Sequence, residues 1–569
     1  MKSTNLSCLS NGSRALRLCT GISASLLVLG LGSVQVTATP GDCSEVLAAL
    51  AADPAVANFQ CFASRDLTTA SSLTTPPDNS LSGLPAGAFT PRSDAANTPG
   101  NGSESRYPIT SHPSGLQISG TMADDTGARW VIRLPDTWNR GLLIGIAASF
   151  SSEYGQDIVL SDYLVQHGYA YAGTNKGVLN RRNTSASDPK ACATSPGAST
   201  YVHSYIDDLP PDQGVPGILK RSLELTALAK YLTRAQYGHA PQYTYAGGTS
   251  IGALTARSLV ERYPDAFDGG IGWAPGYVTA EGQPDGTDDT LNHANLGMIG
   301  LSEFPIGLKN FPDYRASGYS QSSHGYLAIE ASHYFSPDIF GARNPPSSPI
   351  GSFYETMYNS GWQGNECAVV RALDPGYETP PGALPTVFAD YNYVERFRVA
   401  GLRRIAEAIG TTGNLRRPLI ELHGTFDNTA PLRGTRLYAA DVIKKGRAAC
   451  HRVYEVEHGG HRDKFRDPPT LLTQIEPIGL KFLAGFERLV SWVERGRPAP
   501  RSQCIPEGGT IVDHPGSIDR PTACADGGPL IQVEGDGNHN RNGHDTDDDD
   551  TDDDDTDHCV GGHDGSQGD

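Results

Sequence analysis

The sequence of 569 residues lacks a basic stripe, repeated long apolar runs and closely paired cysteines. It has 45 Lys and Arg residues against 64 Asp and Glu residues, a formal net charge of −19, which argues against nucleic-acid binding. Beyond the N-terminal region no segment approaches the length of about 18 apolar residues that a membrane-spanning helix needs. No C-x-x-C motif occurs, which argues against a zinc ribbon and a thioredoxin-type redox site.

The negative charge is concentrated at the C-terminal end. Residues 534–569 hold 14 acidic residues and one Arg, with almost no apolar side chain. Such a segment cannot offset the entropy of ordering, so we predict a disordered acidic tail that is dispensable for catalysis. Its spaced carboxylates suit weak Ca²⁺ binding, although it lacks the glycine and distal glutamate of an EF-hand loop. An unpaired Cys559 fits this interpretation.

The N-terminus has the pattern of a secretory signal peptide. Lys2, Arg14 and Arg17 precede an apolar stretch, and small residues precede a predicted cleavage site after Ala38. The alternative is a membrane anchor, since the stretch is near spanning length. A signal peptide predicts a secreted or periplasmic protein without a membrane span. Eight cysteines then remain, and we expect local disulfides Cys43–Cys61 and Cys504–Cys524.

Strand and helix patterns alternate over much of the chain, which predicts an α/β fold with a mostly parallel, doubly wound sheet. The alternation lapses over residues 276–393, and an insertion of that length in a compact domain is usually functional, as a lid is. The predicted organisation is a signal peptide (1–38), an irregular N-terminal segment (39–112), a first core part (113–275), a lid insertion (276–393), a second core part (394–500), a small Cys-containing appendix (501–533) and the tail (534–569).

One motif points to nucleophilic catalysis. Gly248-x-Ser250-x-Gly252 lies between a predicted strand at 242–247 and a predicted helix at 251–263. A tight strand-to-helix turn projects the serine hydroxyl out of the sheet, and glycines on both sides relieve the crowding of the backbone. The helix N-terminus points at a developing oxyanion, and the Ile251 amide is available to donate to it. The alternative is an ordinary strand–turn–helix junction.

With this motif in place, the chain resembles the α/β-hydrolase superfamily, in which the order Ser, Asp or Glu, His is expected. The resemblance covers roughly residues 115–275 and 394–495. Asp427, in His423-Gly-x-x-Asp427 after a predicted strand, is the candidate acid, with helix capping as its alternative role. His461 is the candidate base, and His458 competes with it. We expect His423 to pack beneath the acid loop.

The resemblance also implies a second oxyanion-hole amide in the loop after the third strand, for which we propose Ala148 or Ser149. The Trp138-Asn139-Arg140-Gly141 segment and the large insertion are similar to the tannase and feruloyl esterase group. That group joins nucleophile and base through a cysteine before the serine and another after the histidine. Here Thr249 and Arg462 stand at those positions, so this disulfide cannot form.

These patterns predict a secreted serine hydrolase of the α/β-hydrolase fold that cleaves small or polymeric carboxylic esters with Ser250, His461 and Asp427. No cofactor or metal is expected, because His458-x-x-His461 lies on a glycine-rich loop rather than in an H-E-x-x-H helix. The alternatives are a serine peptidase or amidase on the same fold, and a non-catalytic secreted binding protein.

Overall fold

In the computed structural model the described residues are 36–37, 42–71, 107–148, 151–182, 192–195, 198–203, 217–278, 408–427, 430, 432–463, 475–513, 523–525 and 559. Residues 279–407, which include nearly all of the predicted lid, lie outside this description. So do most of the predicted signal peptide and every residue of the predicted tail except Cys559.

Strands and helices alternate along the described chain. The strands are β1 (Val36–Thr37), β2 (Val56–Ser64), β3 (Gly115–Met122), β4 (Arg129–Pro135), β5 (Thr137–Trp138), β6 (Gly141–Ile146), β7 (Ala170–Thr174), β8 (Leu179–Arg182), β9 (Cys192–Ser195), β10 (Ala198–His203), β11 (Tyr243–Thr249), β12 (Gly269–Trp273), β13 (Leu419–Gly424), β14 (His451–Val456) and β15 (Gln503–Ile505). The α-helices are α1 (Ser44–Ala52), α2 (Asp162–Gln166), α3 (Ile218–Tyr237), α4 (Ile251–Arg262), α5 (Leu432–Lys444) and α6 (Gly479–Arg495).

A ten-stranded sheet in the order β15-β14-β13-β12-β11-β6-β7-β4-β3-β2 forms the centre of the described part. The strands from β15 to β7 pair in parallel, and β4, β3 and β2 continue the sheet antiparallel. Strands β6, β7, β12 and β13 are buried along their whole length, as apolar strands covered on both faces are. The predicted mostly parallel sheet is therefore confirmed.

Helices cover both faces of the sheet, and the small residues of β12 show how. A methyl group added at Gly269 would meet Leu489 and Val493 of α6, whereas one added at Gly270 would meet Val260 of α4. Successive residues of a strand point to opposite faces, so α4 and α6 lie on opposite sides of the sheet. Glycine at these positions lets both helices pack close to the strand.

The N-terminal segment is more regular than predicted. Within residues 39–112, which the sequence analysis took as irregular, α1 spans Ser44–Ala52 and β2 forms the edge strand against β3. The register between β2 and β3 shifts between Ala57 and Gln60, and Asn58 has a φ of 49°. This bulge breaks the alternation of apolar residues by which a strand is recognised.

Two small antiparallel sheets accompany the central one. Strands β8, β10 and β9 form one of them, and β1 pairs with β5 in the other. Because β1 consists of Val36 and Thr37, cleavage after Ala38 would remove this strand.

Three disulfides cross-link the described part of the chain. The predicted pairs Cys43–Cys61 and Cys504–Cys524 are confirmed. Cys559 is buried and bonded to Cys450 across 109 residues, so the expectation of an unpaired Cys559 is wrong. The acidic composition around Cys559 gave no indication of this pairing, because the spacing of cysteines does not fix their connectivity.

Candidate active site

Ser250 lies at the turn between β11 and α4, and its backbone has φ 58° and ψ −126°. A residue with a side chain rarely adopts this conformation, so the surrounding structure must hold it. The Ser250 amide donates to the carbonyl of Trp273 at the end of β12, at 2.9 Å, which fixes the turn to the neighbouring strand. The side chain is half-buried, consistent with a hydroxyl projected from the sheet edge.

The two glycines of the motif are required by close backbone contacts. A methyl group on Gly252 would lie 2.2 Å from the Ile146 carbonyl oxygen and 2.9 Å from that of Ala147. One on Gly248 would lie 2.6 Å from the same Ile146 oxygen. The first turn of α4 therefore packs directly against the end of β6, which brings the backbone after Ser250 next to the backbone after Ile146.

The loops that carry Asp427 and His461 meet through another glycine contact. Strands β13 and β14 are parallel neighbours, and their last residues, Gly424 and Val456, are paired. A methyl group on Gly424 would lie 1.9 Å from the carbonyl oxygen of Gly459, and the Phe426 amide donates to that oxygen at 2.9 Å. The glycines that follow His423 and His458 in sequence therefore allow the two loops to touch.

His461 and Asp427 form a buried hydrogen-bonded pair. The distance between His461 Nδ1 and Asp427 Oδ2 is 2.8 Å, and the side chains are almost fully buried. An ionised carboxylate only accepts hydrogen bonds, so His461 Nδ1 carries the proton and donates it. This tautomer leaves His461 Nε2 with a lone pair, which is what a general base requires.

The surroundings of Asp427 favour its ionised form. Burial raises the pKa of this carboxyl, but nearby His461 and the hydrogen bonds from His423 and His461 outweigh burial and hold the pKa below its ordinary value. The Ala430 amide donates to Asp427 Oδ1 at 2.8 Å. Both oxygens of the Asp427 carboxylate thus accept hydrogen bonds, and helix capping alone does not account for these contacts.

His423 lies beneath the acid loop, as predicted, and it contacts Asp427 as well. Its Nε2 atom is 2.7 Å from the Ala430 carbonyl and 3.3 Å from Asp427 Oδ2. Both neighbours are acceptors, so Nε2 donates to them. Its Nδ1 atom is 2.7 Å from the Thr435 hydroxyl. The sequence predicted the place of His423 but not that it would hold the carboxylate.

His458 occupies a different environment from His461. Its Nδ1 atom lies 3.3 Å from Glu507 Oε2, its ring packs at 4.6 Å from that of Phe426, and its side chain is partly exposed. Its backbone φ is 58°, and its amide donates to the Thr425 hydroxyl at 2.8 Å. The ring that bonds to Asp427 is that of His461, and His458 shapes the turn after β14.

Of the candidate oxyanion-hole residues, Ile251 and Ala148 lie among the described residues and Ser149 does not. Ile251 is the first residue of α4, and Ala148 follows β6. Among the described residues no acceptor takes the hydrogen of either amide. The contact of Gly252 with the Ile146 and Ala147 carbonyls places these two backbone segments side by side.

Among the described residues, no hydrogen bond forms between the Ser250 hydroxyl and His461. The two residues nevertheless lie at one edge of the sheet, because β11, β12, β13 and β14 are consecutive parallel strands and each candidate follows the carboxyl end of its strand. In unliganded hydrolases the bond between nucleophile and base is often long and shortens when substrate binds.

Thr249 stands where the tannase and feruloyl esterase group has its cysteine. The Gln156 side-chain amide donates to the Thr249 hydroxyl at 2.9 Å. Gln156 immediately precedes a π-helical turn at Asp157–Ser161, a local structure that often occurs at functional sites. Thr249 is therefore held by a hydrogen bond from Gln156, a residue that no sequence pattern indicated.

No group of three or more His, Cys, Asp and Glu residues suited to hold a metal ion occurs in the described part of the chain. None of the described helices combines the length and apolarity required to cross a bilayer.

No family model and no curated protein matches the sequence. Solved structures do match. Feruloyl esterase B from Aspergillus oryzae is 14% identical, with 79% of this chain and 88% of that chain covered and a TM-score of 0.43. Tannin acyl hydrolase from Aspergillus niger is 15% identical, with 70% and 82% covered and a TM-score of 0.35. Candida antarctica lipase A is 11% identical, with 72% and 84% covered and a TM-score of 0.34.

Scores this low carry no conclusion about activity. The strand order, the turn at Ser250 and the positions of Asp427 and His461 after β13 and β14 are features of the chain's own structure. By these features the chain has the α/β-hydrolase fold.

Proposed function

We propose that this protein is a serine hydrolase that cleaves carboxylic esters through an acyl-enzyme. The observation that carries the proposal is the buried 2.8 Å hydrogen bond between His461 and Asp427 at the sheet edge where Ser250 takes its strained turn. A serine alcohol is inert at neutral pH without a base, and a base must be held in the right tautomer. Here the oriented imidazole, the carboxylate and the alcohol follow three strands of one sheet.

In the proposed reaction, His461 Nε2 removes the proton of Ser250 as its oxygen attacks the ester carbonyl. The carbonyl oxygen becomes an oxyanion that accepts hydrogen bonds from the Ile251 and Ala148 amides. Asp427 stabilises the imidazolium that forms. His461 then protonates the leaving alcohol, and a water molecule activated by the same imidazole hydrolyses the acyl-enzyme.

The solved structures named above are those of a feruloyl esterase, a tannin acyl hydrolase and a lipase, which agrees with an ester substrate. Peptidases use the same groups, so a serine peptidase is the second candidate. The disulfides of the described chain agree with secretion or a periplasmic location. A signal peptide over residues 1–38 stays a prediction of the sequence.

The test is hydrolysis of short-chain p-nitrophenyl esters by purified wild type and variants. We expect Ser250→Ala and His461→Ala to lower kcat by about 10⁴-fold or more, as removal of a triad member does. His458→Ala is the matched control, because it removes a neighbouring histidine that bonds to Glu507 instead. Wild-type hydrolysis by Ser250→Ala would overturn the proposal.

Aminoacyl p-nitroanilides, assayed in parallel, separate the two candidate functions. An esterase should cleave the esters at rates far above the anilides. Faster turnover of the anilides would identify a peptidase, and turnover of neither substrate class by a folded wild-type protein would favour a binding protein.

A further inference from the structure

A buried lysine lies beside one of the proposed oxyanion donors. Lys176 is fully buried, and its ammonium donates to the carbonyl oxygen of Ala147 at 2.6 Å. That carbonyl belongs to the same peptide group as the Ala148 amide. A lysine is rarely buried, because burial takes its side-chain nitrogen out of water, which favours the charged form.

The turn that holds Lys176 does not favour a lysine. The Val178 amide closes the turn on the Asn175 carbonyl at 3.0 Å, and the two central residues, Lys176 and Gly177, have φ values of 64° and 72°. Positive φ at both central positions defines a type I′ turn, for which Asn-Gly, Asp-Gly and Gly-Gly are preferred. A strained backbone and a fully buried lysine side chain therefore occur at the same residue.

The backbone around Ala148 is otherwise hydrogen-bonded. The Ala147 amide donates to the Thr174 carbonyl at 3.1 Å, and the Ala148 carbonyl accepts from the Ser151 amide at 2.9 Å. With the Ala147 carbonyl bound by Lys176, the Ala148 amide is the group in this stretch that no described acceptor takes. These hydrogen bonds fix the orientation of the Ala147–Ala148 peptide group, and the hydrogen of the Ala148 amide remains available to a substrate.

We propose that Lys176 is a positioning residue of the oxyanion hole, which acts through the Ala147–Ala148 peptide group. A cation on the carbonyl oxygen draws electron density from the amide nitrogen, so the Ala148 hydrogen becomes a stronger donor. The same bond holds the peptide plane in place before the oxyanion forms. The inference rests on the proposed function, since it concerns the charge that develops in that reaction.

The first test compares Lys176→Met, which keeps the side-chain volume, with wild type. We expect kcat for p-nitrophenyl esters to fall by about 10- to 100-fold with KM nearly unchanged, less than the loss of a whole oxyanion donor. The Ser250 oxygen adds to the carbonyl carbon of a trifluoromethyl ketone, its proton passes to His461, and the carbonyl oxygen becomes a tetrahedral oxyanion. The inhibition constant of this ketone should rise by the same factor as kcat/KM falls. If Lys176 had only a structural role, the inhibition constant and kcat/KM would not change by the same factor.

A second variant and a matched control secure the result. Lys176→Asn gives the turn a residue it favours, so we expect a folded protein, verified by its melting temperature, with the same loss of kcat. Lys230→Met removes a half-buried lysine of α3 that also donates to a backbone carbonyl, that of Ala266 at 2.8 Å. It should leave kcat, KM and the inhibition constant unchanged.

Two outcomes would overturn the inference: a kcat of Lys176→Met within twofold of wild type, or a fall in kcat without weaker binding of the trifluoromethyl ketone. If Lys176→Met is unaffected while Ser250→Ala is inactive, only the role of Lys176 fails. If Ser250→Ala retains activity, the proposed function itself fails.

Discussion

Backbone strain at single residues accumulates at the proposed active edge of the sheet. In the described part of the chain six residues other than glycine have positive φ, and four of them lie within two residues after the strands β7, β11, β12 and β14. These four are Lys176, Ser250, Ala274 and His458. Strain of this kind persists only where the surrounding structure enforces it, and it occurs preferentially at functional sites.

The strain at Ser250 predicts a difference between two inactive variants. Ser250→Gly removes the side chain that disfavours positive φ, whereas Ser250→Ala keeps it. We expect the glycine variant to have the higher free energy of unfolding, by about 1 kcal/mol. Urea denaturation of both variants measures it. An alanine variant as stable as the glycine variant would show that the turn stores no strain.

At the scale of single residues the sequence indicated the turn at Ser250 and the loops that carry Asp427 and His461, because the motif around Ser250 and the positions after predicted strands are local signals. It favoured His461 as the base but left His458 as a competitor, because both follow β14 within five residues. The distinction depends on the contact between Gly424 and Gly459, which turns one ring toward Asp427. Lys176 and Gln156 reach the site through tertiary contacts that no local pattern encodes.

At the element scale, the contact between α4 and β6 predicts the effect of Gly252→Ala. The added methyl group would meet the backbone oxygens of Ile146 and Ala147, so the helix or the strand end must move. We expect a loss of about 2 kcal/mol or more of unfolding free energy and a fall in kcat, since the Ala148 amide shifts with the strand end.

Gly238→Ala provides the control for this substitution. Gly238 ends α3 with a φ of 77°, and nothing lies within 4 Å of the position of an added methyl group. It should lose about 1 kcal/mol from the backbone conformation alone, with kcat unchanged. An unchanged kcat in Gly252→Ala would mean that the two backbones do not position the oxyanion donors.

The elements that the sequence predicted best are those whose apolar residues recur with a single period along the whole element. The sequence pattern predicts a strand over 115–122 and a helix over 218–237, and the structure has both elements with these bounds. The β2 edge strand was missed because its bulge interrupts the period, and β15 because three residues carry too little pattern. The sequence pattern over 158–167 predicts an ordinary helix, whereas the structure begins this helix with a π-helical turn at Asp157–Ser161, because a widened turn leaves the apolar pattern almost unchanged.

At the scale of the whole molecule, buried ion pairs join elements that are distant in sequence. Arg257 of α4 donates to Glu421 of β13 from Nε at 2.8 Å and Nη2 at 3.0 Å, and His451 Nε2 lies 2.9 Å from Glu421. Burial raises the pKa of Glu421, but Arg257 and His451 outweigh burial and lower the pKa from 4.5 to about 2.

A lowered pKa in the folded state makes stability depend on pH. The ionised Glu421 stabilises the fold above its ordinary pKa, and this contribution is lost as pH falls from about 4.5 toward about 2. We expect Glu421→Gln to lower the free energy of unfolding by about 3 kcal/mol at neutral pH, because Arg257 remains buried. The difference from wild type should shrink over that acid range.

The control for this experiment is Glu224→Gln, which weakens a partly exposed pair with Arg221 on α3. It should cost less than about 1 kcal/mol at every pH. Equal stability of Glu421→Gln and wild type at neutral pH would contradict the account of the buried pair.

The Cys450–Cys559 disulfide changes what truncation of the predicted tail should do. A chain that ends at Leu530 loses this bond, which closes 109 residues. We expect kcat for p-nitrophenyl esters to be retained, and the free energy of unfolding to fall by about 2–5 kcal/mol. Cys559→Ser in the full chain should show the same loss. Loss of activity on truncation, or a Ca²⁺-dependent rise in melting temperature confined to the full chain, would instead identify a structural metal site in the tail.

The most direct test of the central claim is to map where a fluorophosphonate probe reacts. The serine oxygen displaces fluoride from phosphorus, so only a serine activated by its base is labelled rapidly. Peptide mass mapping of the labelled wild type should find one adduct, on Ser250, and none in Ser250→Ala or His461→Ala. A folded, ester-cleaving wild type that stays unlabelled, or that carries its adduct on another residue, would contradict the assignment of Ser250 as the nucleophile.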